Sequence, residues 1–550
     1  MAIYYVDTNA APGGDGSSAT PWDTIADVNA ASFSAGDSVL FNKGCTWRET
    51  LTVPSSGTSG HPITFGAYGS GTDPVITGAD LITPGASWSD EGGNVWSATV
   101  TTQPEVVTFD GHYGYIQAAV ESVDSEYDWY WALNVLYIYS TSDPDTAYIS
   151  PGIESANRWV VLHIIGKSYL VFDGITFSTN NEFAVFLEGN QSNNSFTNCI
   201  FENSSNQNFY GDMNATQSDI LIEDCISRRS GNYGIVLRNH SNWIIRRTTS
   251  YRDAIIAGAI SGSIWGCGIM VHETAMNNLV EYCEVSYSGI RDDGYQPDTV
   301  NKGYGIWADT VPATSGNENI FRYNKTHHNT TSGLFAEKTY YSLWYYNLSY
   351  SNESYGLRVG TDSADTVENN GFYNNTLYGN DVGVFCYNDA GTDDGAINNT
   401  FKNNIAVGNT TRQATFKDGF HNDGTDGSGN VYLNNCLGAE SSNFIEWDEG
   451  VYKSTYDDWE TAYGGTTNSV EADPLFVDAA NDNFSLQPTS PCINGGIDVG
   501  LTQDYAGNVV PRGSSPDIGA YEFQIVCGAK RHFAKKKAGF GYKRRRKYRR

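Results

Sequence analysis

A short motif recurs along the middle of this chain, in which a glycine is followed by alternating apolar residues. Alternation with a period of two is typical of β-strands. Self-similarity over a few dozen residues is typical of a stack of repeats, each of which covers the core of its neighbours. The copies read GIVL, GIMV, GIWA, GLFA, GLRV and GVFC, and begin at Gly234, Gly268, Gly305, Gly333, Gly356 and Gly383.

The second half of each repeat aligns on one column of small and polar residues. Its shortest spacing is 23 residues, from 225 to 248 and from 324 to 347, which is room for three short strands and three turns. Parallel strands in register lie about 4.8 Å apart, so the asparagines are expected to form a ladder and the cysteines to pack beside it. The fold predicted for residues 166–440 is a parallel β-helix. The column is Cys199, Cys225, Thr248, Cys283, Asn324, Asn347, Asn375, Asn404 and Asn435.

Two repeats are longer than the others. The spacing from 248 to 283 contains 12 additional residues, and the spacing from 283 to 324 contains 18. A coil accepts such additions at its turns, where neighbouring insertions build the walls of a cleft. The segments are AIIAGAISGSIWG and RDDGYQPDTVNKGYG.

The two ends depart from the repeat, as the ends of a solenoid must, because an uncapped end exposes core and strand edges. Residues 24–32 suit a short helix that covers the first coil within an N-terminal region of residues 1–85. A β-rich insertion is expected over residues 86–165, and C-terminal coils with a cap over 441–527. A basic tail follows at 528–550.

Charge is distributed unevenly along the chain. The formal net charge is −30, yet the last 23 residues contain 12 Lys and Arg and no acidic residue. The strongly acidic body is expected to repel polyanions, so affinity for nucleic acid or another polyanion is assigned to the tail. A solvated, unbound tail is the alternative. The nine cysteines are an odd number at scattered positions, which argues against a disulfide framework.

The N-terminal sequence MAIYYVDTNA has neither the basic nor the apolar region of a signal peptide. No apolar run is long enough for a membrane span. Either a signal has been removed or the protein leaves its cell by another route, such as lysis with a virus particle. The expected location is therefore extracellular or on a virion.

Two terminal segments carry a family resemblance. Residues 35–78 resemble the opening of bacterial and phage β-helix proteins of the pectate-lyase-like superfamily, and residues 472–496, followed by PDIGAYEF, resemble their C-terminal module. The resemblance implies an all-β, right-handed parallel β-helix. It says little about activity, because this superfamily includes lyases, hydrolases, epimerases and non-catalytic spikes.

Candidate site residues follow from the strand period. The second and fourth residues after each repeat glycine should point outward on one face. Asp309 and Glu337 then lie on successive coils, about 5 Å apart, as the acid and base of a glycoside hydrolase require, while His272 is a candidate base. Expected substrate-binding residues on the same face are Trp307, Phe335, Arg358, Phe385, Tyr387 and Arg238. The alternative is a solvated charge ladder beside aromatic side chains that merely pack under the insertions.

The larger insertion contains a group of acidic residues. Pectate-lyase-like enzymes often hold Ca²⁺ on clustered aspartates and use Lys or Arg as the base, so the resemblance implies such a site at Asp292, Asp293 and Asp298, with Arg291 or Lys302 as base. Calcium binds carboxylate and carbonyl oxygens, but this spacing fits no defined calcium motif. A solvated acidic loop is the alternative.

Two functions from different classes remain open. One is a polysaccharide-binding and polysaccharide-degrading β-helix, either a lyase or a glycoside hydrolase. The other is a non-catalytic virion spike or fibre, anchored through residues 528–550. Spikes that resemble this fold are commonly homotrimers. Neither function involves a membrane.

Overall fold

Three long sheets of parallel strands make up most of the molecule, and each successive coil adds one strand to each sheet. The computed structural model describes residues 1–82, 88–255, 265–296, 302–361, 365–388, 395–422 and 427–524. The coil order is sheet 1, sheet 2, sheet 3, and the interior lies between them. The all-β parallel β-helix predicted from the repeat is therefore confirmed.

Sheet 1 contains the glycine motifs. In order, its strands are Leu51–Thr52, Val160–Ile165, Phe183–Glu188, Gln207–Gly211, Tyr233–Arg238, Gly266–His272, Lys302–Pro312, Ser332–Tyr340, Tyr355–Thr361, Val382–Asn388, Arg412–Phe416, Ile445–Trp447 and the antiparallel Tyr452–Lys453. Three short strands extend it sideways, Val367–Glu368, Ala396–Ile397 and Gly427–Ser428.

Sheets 2 and 3 complete each coil. Sheet 2 consists of Ile3–Val6, Ser38–Asn42, Ile63–Tyr68, Leu170–Asp173, Ser195–Thr197, Leu221–Glu223, Ile244–Arg246, Leu279–Glu281, Asn319–Arg322, Ser342–Tyr345, Gly371–Tyr373, Thr400–Lys402 and Val431–Leu433. Sheet 3 consists of Thr46–Trp47, Val75–Thr77, Thr176–Asn180, Ile200–Ser204, Ile226–Arg228, Thr249–Tyr251, Glu284–Ser286, Lys325–His327, Leu348–Tyr350, Thr376–Tyr378 and Ile405–Val407. A small pair, Gln191–Ser192 and Gln217–Ser218, lies at a turn.

Stacked aromatic rings fill much of the interior. The ring centroids of Phe65, Phe172 and Phe196, from consecutive coils, are each 5.0 Å from the next. Phe321 and Trp344 are stacked at 3.8 Å. All five side chains are fully buried. Because one coil alone cannot cover its own apolar residues, contacts between coils provide most of the stability.

The predicted asparagine ladder runs along the turn between sheets 2 and 3. Asn324 Nδ2 donates to Asn347 Oδ1 at 3.1 Å, and Asn347 Nδ2 donates to Asn375 Oδ1 at 3.0 Å. The same contacts continue through Asn404 to Asn435. Cysteines and Thr248 occupy the column in the earlier coils, and the eight cysteines in the described residues are free and buried. The ladder expected from the sequence is confirmed.

Two further ladders occupy the other turns. One, between sheets 3 and 1, joins Asn329, Asn352, Asn380 and Asn409. The other, between sheets 1 and 2, joins Asn370, Asn399 and Asn430. Each coil in this part of the solenoid is therefore fixed by buried amides at all three corners, and these amides satisfy backbone groups that the turns would otherwise leave unpaired.

A short helix packs against each end of the core. At the N-terminal end the helix Ile25–Ala30 places Ile25 and Val28 against the core. At the C-terminal end the helix Tyr456–Tyr463 buries Tyr456 and Trp459. The remaining short helices are Pro144–Ala147, Val120–Ser122, Asp418–His421 and Ala479–Asn481.

The C-terminal segment after this helix does not continue the coils. Residues 470–524 run back along the outside of the turn between sheets 2 and 3. Asn374 Nδ2 donates to the carbonyl of Asp517 at 2.9 Å, and Tyr323 Oη donates to the carbonyl of Gln503 at 3.1 Å. The hairpin Phe476–Asp478 and Asn483–Leu486 belongs to this segment. Terminal coils with a cap were expected over residues 441–527, and residues 470–524 of this region pack against coils that are already formed.

A mostly antiparallel unit, with one parallel strand pair, interrupts the solenoid between its early coils. It consists of a four-stranded sheet (Ala79–Leu81, Val107–Phe109, His112–Tyr113, Ile153–Ala156) and a five-stranded sheet (Ser89–Gly92, Val95–Thr99, Tyr115–Ile116, Asp128–Ala132, Val135–Tyr139). Its own core packs around Phe109, Trp129 and Leu136. Within the described residues no helix is long and apolar enough to cross a membrane.

Candidate active site

The outward face of sheet 1 has the register expected from the sequence. Asp309 is paired with His272 on one neighbouring strand and with Glu337 on the other. Ile306 and Ala308 lie in the main core, whereas Trp307 belongs to a separate cluster on the other side of the strand. The two predicted columns are therefore real columns. They run Val236, Met270, Trp307, Phe335, Arg358, Phe385 and Arg238, His272, Asp309, Glu337, Gly360, Tyr387.

The predicted aromatic binding residues lie mostly in a buried cluster. Trp307 is 4% exposed and Phe335 is 1% exposed. Their rings stack on each other at 5.6 Å, and Tyr304 stacks on Phe335 at 5.3 Å. Both were expected to offer open faces to sugar rings, but neighbouring aromatic side chains cover them. Phe385, partly exposed and stacked on Tyr355 at 4.4 Å, keeps an accessible edge on this face.

Arg358 reaches into this cluster. Its guanidinium lies 4.5 Å from the ring centroids of both Phe335 and Tyr387. It donates to Tyr387 Oη at 2.8 Å and to Tyr304 Oη at 3.3 Å, while its Nε has no hydrogen-bond partner in the described part of the chain. Burial opposes the charge of Arg358, but the phenol oxygens of Tyr387 and Tyr304 raise its pKa above the usual value. A buried cation held by rings and hydroxyls is suited to an incoming anion.

The two carboxylates have different surroundings. Asp309 Oδ2 lies 3.1 Å from His272 Nε2, and Asp309 Oδ1 accepts a hydrogen bond from Thr310 at 2.8 Å. Glu337 is more deeply buried. Its Oε2 accepts a hydrogen bond from the indole of Trp307 at 3.1 Å, and the ammonium of Lys338 lies 3.7 Å from Oε1. The structure thus brings His272, Asp309 and Glu337 together on three consecutive coils.

Arg238, at the edge of the same face, already has a partner. Its guanidinium forms an ion pair with Glu273. Burial opposes ionisation of Glu273, but the hydrogen bond from Arg238 lowers the pKa of this carboxyl. Arg238 therefore shapes the rim of the face.

The acidic residues of the larger insertion contact arginines. Asp292 accepts from Arg229 at 2.8 Å and lies 3.3 Å from Arg252. Asp293 pairs with Arg291 at 2.6 Å. The remaining calcium candidate, Asp298, and residues 528–550 lie outside the described residues. Within the described ranges no group of three or more His, Cys, Asp or Glu side chains could hold a metal ion. Guanidinium groups occupy the places where a Ca²⁺ site would need open oxygens.

Three residues of the site were not anticipated from the sequence. Lys338 contacts Glu337 from the next position in the chain, and Tyr304 and Tyr355 enclose Arg358. The signal for the tyrosines was present, because Tyr304 and Tyr355 each precede a repeat glycine. Lys338 had no such signal, since it follows the motif.

The comparisons with known proteins agree with this architecture. The family described as "Right handed beta helix region" matches residues 254–437. The protein is a right-handed parallel β-helix. Over 95% of this chain and 99% of the other, the β-helix superposes on XylC, solved in complex with xylose, with a TM-score of 0.63 and 12% sequence identity. The right-handed parallel β-helix that the resemblance implied is confirmed.

A second solved structure, pectate lyase Pel9A, matches with a TM-score of 0.46 and 15% identity, over 95% of this chain and 97% of the other. A search of curated proteins gave no match to the sequence of the β-helix.

Proposed function

We propose that this β-helix is a glycoside hydrolase, with Asp309 and Glu337 as its two catalytic carboxyl groups. The observation that supports the proposal is their pairing on adjacent strands of one outward face. Strand spacing separates the two backbones by about 4.8 Å, which lets side chains of this length bring their carboxyl groups to the separation of about 5–5.5 Å that a retaining mechanism uses. In such a mechanism one carboxyl group protonates the leaving oxygen and the other attacks the anomeric carbon.

The neighbours of the pair suit these tasks. His272, 3.1 Å from Asp309, orients that carboxylate and can stabilise its charge. Trp307 fixes Glu337 through a single hydrogen bond at 3.1 Å. Holding both carboxyl groups in place before substrate arrives lowers the cost of reaching the transition state. XylC was solved with xylose, so xylose-containing oligosaccharides are the first substrates to test.

Lyase action on an acidic glycan is the second candidate, and Arg358 favours it. Among the described residues its guanidinium donates to the hydroxyl groups of Tyr304 and Tyr387 and lies over the ring of Phe335, while the Glu337 carboxylate acts on it through space. A uronate carboxylate could bind there, because guanidinium pairs well with planar oxyanions. Binding at this position would withdraw charge from the uronate and make its neighbouring proton easier to remove.

The experiment is product analysis on a panel of neutral and acidic oligosaccharides. A hydrolase gives new reducing ends without an absorbing unsaturated uronate, whereas a lyase gives both. Asp309→Asn and Glu337→Gln should each lower kcat by at least about 100-fold, and the exposed Asp498→Asn is the matched control. Full activity in the Asp309→Asn, Glu337→Gln double variant would contradict the assignment. Azide rescue of Asp309→Ala and Glu337→Ala distinguishes the two roles, because the nucleophile variant gives a glycosyl azide of inverted anomeric configuration and the acid/base variant one of retained configuration.

Location and attachment remain proposals from the sequence. We propose that the protein acts outside a cell or on a virion, and that residues 528–550 bind a polyanionic partner. A non-catalytic spike anchored through this tail, including a homotrimeric one, is the competing proposal. Loss of particle attachment on deleting residues 528–550, with no cleavage of any glycan by the full chain, would favour it.

A further inference from the structure

One large aromatic side chain stands apart from the buried cluster. Trp159 immediately precedes the sheet 1 strand Val160–Ile165 and is 46% exposed. It lies on the same face of the solenoid as Asp309, five strands earlier in sheet 1. Strand spacing of about 4.8 Å places the two about 24 Å apart along the helix axis.

A group of stacked aromatic rings lies against Trp159. The rings of His163 and Phe186 are nearly parallel, with centroids 5.5 Å apart, and Phe186 and Tyr210 are parallel at 5.6 Å. Phe183 stacks on Phe186 at 5.1 Å. His163, Phe186 and Tyr210 follow one another from coil to coil, whereas Phe183 shares a strand with Phe186.

Trp159 packs at a steep angle against three of these rings. Its plane is inclined by 77° to His163, 76° to Phe183 and 65° to Phe186, with centroid distances of 5.2, 6.0 and 5.6 Å. Trp159 therefore packs edge to face against these rings. Nearly half of its side chain remains exposed to solvent.

We propose that the exposed face of Trp159 is a stacking subsite for a neutral sugar ring. The subsite belongs to a glycan chain that lies along sheet 1 and reaches the carboxylates at Asp309 and Glu337. The proposal rests on the proposed function and deepens it, since it makes the substrate a chain of several sugar units. A pyranose ring is about as long as the spacing between two strands, so successive sugars can follow successive coils.

The charges around Trp159 favour a neutral sugar. Glu188 lies beside the ring stack, with its Oε2 2.6 Å from His163 Nε2 and its side chain 44% exposed. The nearby Arg158 is already paired with Asp80 at 2.9 Å. Among the described residues, a uronate at this position would face the accessible Glu188 carboxylate while Arg158 is already paired, whereas the hydroxyl groups of a neutral sugar can donate to that carboxylate.

The test measures binding in the inactive Asp309→Asn protein, so that cleavage does not interfere. Affinities are measured by calorimetry for a disaccharide and an octasaccharide of each of three glycans, namely β-1,4-xylan, cellulose and polygalacturonate. Trp159→Ala should weaken binding of a neutral octasaccharide by about tenfold or more, and should leave disaccharide binding unchanged. Trp159→Phe should recover most of the lost affinity.

The control is Tyr282→Asn, which removes a 40% exposed aromatic at the turn between sheets 2 and 3. Asparagine tolerates the left-handed backbone at this position, where φ is 54°. Equal octasaccharide affinity in Trp159→Ala and its parent overturns the subsite, and so does the absence of binding to every neutral octasaccharide. If octasaccharide binding depends on Trp159 but the wild-type chain cleaves nothing, the proposed function fails and the subsite stands.

Discussion

Removing one amide from the middle of an asparagine ladder should destabilise the solenoid by several kcal/mol. Asn347 is fully buried, and its side chain makes four hydrogen bonds. Its Nδ2 donates to the carbonyl of Phe321 and to Asn375 Oδ1, and its Oδ1 accepts from the backbone N–H and the Nδ2 of Asn324. In Asn347→Ala all four are lost and their partners stay buried.

Each such bond contributes about 0.5–1.5 kcal/mol net. Four of them give about 2–6 kcal/mol, and the upper half of that range is expected because the partners are left unsatisfied. Asn347→Asp should be at least as damaging, since a carboxylate oxygen would face Asn375 Oδ1 and the carbonyl of Phe321. Equilibrium urea unfolding measures the loss, and hydrogen exchange shows whether it is confined to the coils next to residue 347.

The control is Asn317→Ala, because Asn317 is exposed and its side chain makes one hydrogen bond, to Thr314. Its effect should stay within about 0.5 kcal/mol. If Asn347→Ala is no more destabilising than Asn317→Ala, the ladder is a consequence of the fold and does not stabilise it.

Three other predictions concern a buried carboxyl, the cationic cluster and the tail. Burial raises the pKa of Asp253 from 3.8 to about 6, so its contribution to stability is present below pH 4 and is lost as the pH rises through 6. Asp253→Asn should remove this loss, about 3 kcal/mol at neutral pH, and a fall in Tm between pH 4 and 7 as large in the variant as in the wild-type protein would contradict it. Arg358→Met should weaken binding of acidic octasaccharides by about tenfold and spare neutral ones, as calorimetry can show; equal losses for both would mean that Arg358 only packs. Deleting residues 528–550 should abolish salt-dependent retention on immobilised heparin and leave the urea midpoint unchanged, whereas retention by the truncated chain would place the polyanion site in the body.

Much of the architecture could be predicted because a β-strand has a strict period of two. That period fixes which face each residue after a repeat glycine occupies, so the alignment of His272, Asp309 and Glu337 followed from spacing alone. The two additional ladders were detectable too, since asparagines recur every five residues at 370, 375 and 380 and again at 399, 404 and 409. Five residues are one short strand and one turn.

Other features depend on contacts between residues far apart in the sequence, which the strand period of two does not predict. The burial of Trp307 and Phe335 depends on how Tyr304 and Arg358 lie across the face. The arginines that bind Asp292 come from positions 229 and 252, on earlier coils. The return of residues 470–524 along the outside of the solenoid depends on contacts such as that of Asn374 with Asp517, which are far apart in the sequence.

The ladders also restrict insertions and deletions in the solenoid to whole coils. Because a buried amide must meet its counterpart in the next coil, the chain can gain or lose whole coils without breaking any ladder. The coil at residues 226–248 lies between Trp159 and Asp309, and its excision would bring them closer by one strand spacing, about 4.8 Å. Duplication or loss of such a segment would therefore change the length of glycan that spans the two sites by one sugar per coil, without altering the catalytic residues.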